Sequence, residues 1–331
     1  MIPILLHIGP ITVYSYGFMV ALAFIVGDRL LTSAFGRCGY DPALASTLVL
    51  WVAIASFAGA RLNDILDNWP AYTAYPKSMI FSSMGFVFYG GFVGGLIASI
   101  VFARWFRIPW LTLADMCAPV LALGHAIGRQ GCQLSGDGDW GMPSNLPWAM
   151  AYPKAIVGWN AETVLRLDKQ GNLLSGFYPG VRVHPTPIYE SVLYLAVFLL
   201  LWRLRRRTRV EGRVFYLFLI LYGASRFVVE FLRINTRVLF GLSEAQLVSL
   251  AMIIWGSARL CRVCSRPSPG KTEPNLGLRR SIAKFPYQSR LFEASAAPPP
   301  HSSAKSDIST SDEPPCVGAP SARTVSALRP A

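Results

Sequence analysis

The sequence predicts an all-α integral membrane protein with about seven transmembrane helices and a small cap on the outer side of the membrane. Of its 331 residues, 53% are hydrophobic and only 15% are charged, which is too apolar for an ordinary soluble domain. The mean hydropathy of +0.39 agrees with this composition. Seven separate apolar runs are each long enough to cross about 30 Å of hydrocarbon.

The apolar runs define the predicted transmembrane helices in chain order. They cover residues 14–34, 44–64, 84–103, 111–130, 185–202, 213–232 and 244–262. The third run contains four glycines at helical spacing, namely Gly90, Gly91, Gly94 and Gly95. Because small residues let two helix backbones approach closely, we expect the third helix to pack tightly against a neighbour.

The distribution of arginines predicts the orientation of these helices. Arginines follow the first, third, fifth and seventh runs, at positions 29, 37, 104, 107, 203, 205, 206, 207, 209, 213, 259 and 262. Loops rich in positive charge stay in the cytoplasm, so the N-terminus and the loops 65–83, 134–184 and 233–243 are predicted to lie outside. The net charge of +13 is then explained by the orientation of the helices and by attraction to anionic lipid headgroups. A nucleic-acid partner is not needed to explain it.

Composition divides the chain into a membrane domain, residues 1–264, and a tail, residues 265–331. The loop at about 134–184 is too long for a simple turn, and its Trp, Tyr and Pro residues suit a folded cap at the interface. Beyond this domain, Ser, Pro and Ala predominate, which predicts a disordered cytoplasmic tail. Cys261 and Cys264 form an isolated C-x-x-C that lacks the further ligands of a zinc site.

The stretch from residue 124 to residue 141 carries the strongest functional signal. Arg129 falls within the natural length of the fourth apolar run, His125, Cys132 and Asp137 lie beside it, and five glycines lie between residues 128 and 141. Polar groups at membrane depth are costly unless they are paired or used. We therefore predict a polar site at membrane depth, the alternative being a helix end broken by glycine with its charges at the headgroups.

The sixth run contributes a second set of charges. Arg226 and Glu230 are four residues apart, so they share one helix face and can form an ion pair. Desolvation makes a buried ion pair a poor source of stability, which favours a site over a pair that only fixes helix packing. With Arg129 at the same outer boundary, two guanidinium groups and a carboxylate predict phosphate recognition, because guanidinium offers forked donors to phosphate oxygens.

Three further polar residues have simpler alternatives. Glu190 follows His184-Pro185 at the start of the fifth run, where a carboxylate also stabilises the N-terminal end of a helix. Arg61, at the end of the second run, can extend to the outer headgroups. Tyr16 can belong to the aromatic belt at the membrane interface.

Taken together, these residues resemble the prolipoprotein diacylglyceryl transferase family over roughly residues 8–262. The matching pieces are Ser15-Tyr16-Gly17, Gly59-Ala60-Arg61, Phe88-Tyr89-Gly90-Gly91, Gly128-Arg129-x-Gly131 with Gly136, His184-Pro185 with Tyr189-Glu190, and Tyr222-Gly223 with Arg226, Glu230 and Arg233. Each piece is short, but their order and spacing against seven spans make the set specific.

The resemblance implies an enzyme of bacterial lipoprotein maturation. Such an enzyme moves the diacylglyceryl group of phosphatidylglycerol to the thiol of a lipobox cysteine in a prolipoprotein signal peptide, and glycerol phosphate leaves. The resemblance also implies a multi-pass protein of the inner membrane, with a periplasmic N-terminus and cap and a cytoplasmic C-terminus. No metal or organic cofactor is expected.

The resemblance, combined with the chemistry, assigns expected roles to individual residues. Arg129 and Arg226 would stabilise charge on the leaving phosphate, and Glu230 would orient Arg226. A base must take the thiol proton. His125, one helical turn before Arg129, is the first candidate and Tyr89 the second; the alternative for His125 is a hydrogen bond between helices.

A further set of residues is expected to hold the lipid headgroup or the acceptor. Its members are Tyr16, Arg61, Gly90, Gly91, Gly131, Cys132, Asp137, Tyr189, Glu190 and Arg233.

The chain departs from the usual family signature, Gly-Arg-x-Gly-Asn-Phe-x-Asn-Gly-Glu. Cys132 stands in place of the first Asn and Asp137 in place of the Glu, while Tyr89 replaces a frequent His and Pro187 a Gln. These changes suggest a divergent branch. Two alternatives therefore stay open, a non-catalytic relative that binds anionic lipid and a transferase with a different acceptor. A channel is least favoured, because the polar groups cluster near the outer boundary.

Overall fold

The computed structural model describes residues 2–9, 11–75, 87–155, 182–206, 210–235 and 237–265. The elements, in chain order, are strands β1 (Ile4–Ile8) and β2 (Ile11–Tyr14), helices α1 (Ser15–Arg37), α2 (Ala43–Asp67), α3 (Trp69–Ala74), α4 (Phe88–Trp105), α5 (Trp110–Ser135), α6 (Thr186–Leu204) and α7 (Arg213–Val229), a 3-10 turn (Glu230–Leu232), strands β3 (Arg237–Leu239) and β4 (Leu242–Ser243), and helix α8 (Glu244–Cys264).

Each of the seven predicted spans coincides with a helix. Within the described part of the chain, five helices are long and apolar enough to cross a membrane, namely α1, α2, α5, α6 and α7 with its 3-10 turn. The apolar part of α4, Tyr89–Trp105, is shorter. Helix α8 occupies the seventh predicted position, but Glu244, Gln246 and Arg259 make it more polar. The protein is a mostly helical membrane protein, and the count of seven spans stays a prediction.

The helices form two groups that share α5. Helix α2 packs against α4, whereas α5 packs against α1, α6 and α7. One apolar core joins α1, α2, α4 and α5 around Phe35, Leu48 and Phe102. The second joins α5, α6 and α7 around Leu201 and Tyr216. Large apolar side chains also cover the outward faces of the helices, as expected where the surrounding solvent is lipid.

The glycines of α4 allow the close helix contact that the sequence predicts. Added Cβ atoms on Gly90 and Gly94 would collide with the backbone carbonyls of Gly59 and Ala55 in α2. A Cβ atom on Gly95 would lie 2.6 Å from the Ser56 hydroxyl oxygen. The prediction of tight packing is confirmed, and its cause is backbone contact that no larger residue permits.

Side chains from neighbouring elements complete the ends of two helices. The carboxylate of Asp115 in α5 accepts hydrogen bonds from the amides of Gly212 (2.6 Å) and Phe215 (2.7 Å) at the start of α7. These amides have no partner within their own helix. Helix α5 ends where Gly136 adopts a positive φ of 67°, the conformation typical of a helix C-terminus. This ending releases the chain into the loop that reaches the site.

Two short β-hairpins were not predicted. Strands β1 and β2 pair before α1, and β3 and β4 pair between the 3-10 turn and α8. Phe240 and Gly241 form the turn of the second hairpin with φ values of 51° and 71°. The strands are too short for an alternating pattern to stand out in the sequence.

The predicted cap is described in part. Trp140, Tyr152 and Val183 form a small buried cluster, and the amide of Met150 and the amide of Val183 exchange backbone hydrogen bonds of 3.0 and 2.9 Å. Residues 156–181 of the predicted cap lie outside the described residues, as does the predicted tail beyond residue 265.

Candidate active site

Three arginines and three carboxylates form a continuous ion-pair network where α5 and α7 end and α6 begins. The members are Arg129, Asp139, Glu190, Arg226, Glu230 and Arg233. They come from α5 and the loop after it, from α6, and from α7, the 3-10 turn and the residue after that turn. The network thus joins three parts of the chain that are distant in sequence, and the predicted pair of Arg226 and Glu230 is only one part of it.

Glu190 lies at the centre of the network. Its side chain is 1% exposed and forms close ion pairs with Arg129 and Arg226, while Arg233 lies 3.6 Å away. The capping alternative explains its position near the start of α6 but not its three cationic partners. The structure therefore brings Glu190 together with Arg129, Arg226 and Arg233, and its role in substrate binding stays a prediction.

Glu230 holds the other end of Arg226. The Arg226–Glu230 ion pair measures 2.9 Å between Nη2 and Oε2, which confirms that the two side chains meet. Glu230 is fully buried, and its other oxygen accepts hydrogen bonds from Asn235 and from the Ser243 hydroxyl, the latter at 2.8 Å. Arg226 is thus held between two carboxylates, one from α6 and one from the 3-10 turn that follows its own helix.

Asp139 bridges the remaining two guanidinium groups. One carboxylate oxygen pairs with Arg129 and the other with Arg233. Burial favours a raised pKa for Asp139, but Arg233 and Arg129 outweigh it and hold this pKa at about 2. Asp139 is therefore an anion throughout the physiological range. Its side chain is 30% exposed, in contrast to Glu190 and Glu230.

Cys132, Gly131 and Asp137 border the network on the side of α1. The Cys132 sulfur lies 3.6 Å from the Arg129 guanidinium, and a Cβ atom on Gly131 would lie 3.2 Å from the Tyr16 ring. Burial raises the pKa of Asp137. The donor atoms of Cys132, Asp137 and Asp139 lie within 4.8 Å of one another, but the arginines paired with Asp139 disfavour a cation there.

His125 lies in an aromatic group beneath the network. Its Nδ1 atom is 3.1 Å from the Tyr222 hydroxyl, and its ring meets Tyr194 edge-on at 4.5 Å. Tyr194 and Tyr222 stack on each other with centroids 4.8 Å apart. The structure thus contains the interhelical hydrogen bond that was the alternative for His125, and its role as a base stays a prediction.

The remaining predicted residues, Arg61, Gly90, Gly91 and Tyr89, have described contacts with α2, α3 and α8. Arg61 lies 3.8 Å from Asp64 and faces the ring of Tyr72, and Gly90 and Gly91 face α2. Tyr89 donates a hydrogen bond of 2.9 Å to Glu244 at the start of α8.

Tyr189 connects the start of α6 with the cap. Its hydroxyl accepts a hydrogen bond of 2.8 Å from Trp148 Nε1 and lies 3.3 Å from His184 Nδ1. Burial lowers the pKa of His184, so this imidazole stays neutral near pH 7. Tyr189 therefore links the start of α6 to Trp148 of the cap.

Comparison with known proteins shows which family the chain belongs to. The family model of prolipoprotein diacylglyceryl transferase matches residues 3–262. The chain belongs to this family. It is 34% identical to a phosphatidylglycerol–prolipoprotein diacylglyceryl transferase of Trichormus variabilis, over 81% of this chain and 91% of that protein. Proteins of the same name from Chromobacterium violaceum (35%, covering 78% and 94%) and Synechocystis (32%, covering 77% and 87%) are also similar.

Family membership confirms the resemblance found from the sequence motifs, but the motifs missed one member of the network, Asp139, and two hydrogen-bond partners of Glu230. Asp139 stood unassigned two residues after Asp137, and Asn235 and Ser243 carried no signal. The sequence feature that could have indicated Asp139 as a site residue is its position as a carboxylate within a glycine-rich loop. Its partners become apparent only when the loop folds back over α5.

Proposed function

We propose that this protein transfers the diacylglyceryl group of phosphatidylglycerol to the cysteine thiol of a prolipoprotein. The observation that carries the proposal is the buried network of three arginines held by three carboxylates. The names of its relatives supply the reaction class and the substrates. Guanidinium groups of fixed orientation suit a reaction in which negative charge develops on a phosphate.

The chemistry defines what the site must do. The thiolate sulfur attacks the glycerol carbon that carries the phosphate ester, a carbon–sulfur bond forms, and the carbon–oxygen bond breaks. The electron pair of the carbon–oxygen bond leaves with glycerol phosphate. The phosphate group thereby changes from a diester with one negative charge to a monoester with more negative charge. The thiol proton passes to a base.

In this proposal, Arg129 and Arg226 stabilise the charge that develops on the leaving phosphate. Glu190 orients both arginines, and Glu230 pairs with the Nη2 atom of Arg226 and fixes that side of the guanidinium group. The arginines need little reorganisation during the reaction because these pairs already fix them. Fixed charges in a site shielded from water are the most effective stabilisers of a transition state.

The remaining assignments concern the proton, the acceptor and the location. His125 is proposed as the base, with Tyr89 as the second candidate. Tyr16, Gly131 and Cys132 would border the lipid headgroup, and the acceptor would be the lipobox segment of a signal peptide. We place the protein in the bacterial inner membrane with a periplasmic N-terminus and a cytoplasmic C-terminus, as the arginine distribution predicts.

Reconstitution tests the proposed function. The full-length protein is placed in vesicles with phosphatidylglycerol labelled in its acyl chains, and label is followed to a lipobox peptide. We expect transfer with the native protein and with Arg29→Ala, which removes an exposed arginine of α1. Arg226→Ala and a Cys→Ser peptide should each abolish transfer. A folded native protein that transfers nothing would contradict the proposal.

Two observations favour a second function, the binding of anionic lipid without turnover. His125 is engaged by Tyr222, and Cys132 stands where the family usually has Asn. A binding protein would retain the arginines but would have no need for a free base. Release of glycerol phosphate distinguishes the two, because only the transferase breaks the ester bond.

A further inference from the structure

The charges of the network balance within the described residues. Three guanidinium groups face three carboxylates, so the group as a whole has no net charge. A phosphodiester brings one more negative charge. Placing it next to the arginines without any other change would leave a buried anion without a partner, which is strongly unfavourable. One carboxylate must therefore give up its arginines when a phosphate binds.

Glu190 and Glu230 are poorly suited to leave. Both are fully buried and lie in helical segments, and each contacts more than one cation. Moving either would strand a buried carboxylate or require its helix to shift. Glu230 also accepts hydrogen bonds from Asn235 and Ser243, which hold it in place.

Asp139 is suited to leave. It is partly exposed and lies in a loop, between Gly136 and the fixed residues Gly141 and Met142. Gly136 and Gly138 both adopt positive φ values, 67° and 92°. Because glycine has no Cβ atom and accepts many backbone conformations, the backbone before Asp139 can change its conformation. The side chain of Asp139 is 30% exposed, so its carboxylate can turn outward into solvent.

The ends of this loop are fixed. The amide of Gly136 bonds to the Cys132 carbonyl (2.9 Å), that of Gly141 to the His184 carbonyl (2.9 Å), and that of Met142 to the Leu232 carbonyl (2.8 Å). Between them, the Thr186 hydroxyl donates a hydrogen bond of 2.6 Å to the Asp139 carbonyl. A change can therefore be confined to residues 137–140 while the rest of the site keeps its shape.

The pairing geometry of Asp139 resembles that expected of a bound phosphate. Its two carboxylate oxygens pair with different arginines, Arg129 and Arg233, as two oxygens of one phosphate would. Arg226 keeps its pairs with Glu190 and Glu230, so its proposed effect on the leaving phosphate is electrostatic and displaces neither carboxylate. We propose that the phosphate of the substrate lipid binds between Arg129 and Arg233 by displacing the Asp139 carboxylate, which turns toward solvent. This inference rests on the proposed function, because it takes phosphatidylglycerol as the ligand.

Binding of a short-chain lipid tests the displacement directly. Dioctanoyl phosphatidylglycerol is titrated into the purified full-length protein in detergent, with native protein, Asp139→Asn and Asp41→Asn compared. Asp41 is an exposed carboxylate that caps α2, and Asn serves equally well there. We expect Asp139→Asn to bind about tenfold more tightly, because the competing anion is gone, and Asp41→Asn to bind like the native protein.

Hydrogen exchange of the native protein provides a test without substitution. Dioctanoyl phosphatidylglycerol should accelerate amide exchange in residues 137–140, whereas dioctanoylglycerol, which lacks the phosphate, should not. Unchanged or slower exchange in this segment with bound phosphatidylglycerol would overturn the displacement.

A second variant keeps the proposal testable if Asp139→Asn does not fold. Thr186→Val keeps the carboxylate but removes the hydrogen bond that holds the loop, and we expect it to bind the lipid about threefold to fivefold more tightly. Affinity equal to or weaker than native in both folded variants would overturn the proposal.

The transfer assay on the same samples separates the two proposals. Transfer by the native protein without tighter binding in the variants rejects the displacement and leaves the function standing. Tighter binding without transfer rejects the function and retains the displacement as a property of lipid binding.

Discussion

The Ser243 hydroxyl donates a hydrogen bond of 2.8 Å to Glu230, joining the β3–β4 hairpin to the arginine network. Ser243 is buried, and its amide bonds to Gln246 of α8 at 3.1 Å. The hairpin therefore helps to orient Glu230, and through it Arg226.

This relationship predicts that Ser243 is a positioning residue. Ser243→Ala should lower kcat about tenfold with little change in KM, because it removes a hydrogen bond to a buried charged group. Ser243→Thr keeps the hydroxyl and should recover most of the rate. Steady-state transfer kinetics on vesicles measure both constants. A rise in KM at constant kcat would show that Ser243 acts on substrate binding instead.

Glu190 is predicted to be essential for the stability of the network. Glu190→Gln leaves three arginines facing two carboxylates, and an uncompensated buried charge costs about 3 kcal/mol or more. We expect a clear fall in the melting temperature in nanodiscs and loss of transfer. Were Glu190 only a helix cap, Gln would change stability by less than about 1 kcal/mol, so a near-native melting temperature would contradict this role.

His125 and Tyr222 can be separated by paired substitutions. If His125 is the base, His125→Gln should lower kcat about a hundredfold, whereas Tyr222→Phe, which removes the hydroxyl partner, should lower it less than about fivefold. Transfer is measured per folded protein after size-exclusion chromatography. Equal and modest losses in both variants would indicate an interhelical hydrogen bond and no role in proton transfer.

The contact between α2 and α4 predicts a strict requirement for glycine. A methyl group at Gly94 would meet the Ala55 carbonyl, so Gly94→Ala should separate the helices and reduce the melting temperature or the yield of folded protein. Gly124→Ala in α5 is the matched control, since nothing lies within 4 Å of its added Cβ atom. It should be neutral or stabilising by up to about 1 kcal/mol. Equal behaviour of the two variants would contradict the packing argument.

The helices lie where the sequence predicts them because each apolar run is a local property of the chain. Arg129, Arg226 and Glu230 were also recognisable locally, since charges within such runs are rare and costly. Glu190 was noticed, but a helix cap and a site residue have the same local signature. The bond between Arg129 and Glu190 joins α5 to α6, and no spacing rule connects two helices separated by a long loop.

The class of protein, the helix positions, the glycine contact surface and the family follow from the sequence, because hydrophobicity and motif order can be read along the chain. Which carboxylate faces which arginine depends on the folded structure. Asp139 reaches Arg129 and Arg233 because the loop turns at Gly136 and Gly138 and is fixed by His184 and Leu232. Such ion pairs depend on distances between segments remote in the chain, and those distances exist only after the helices have packed.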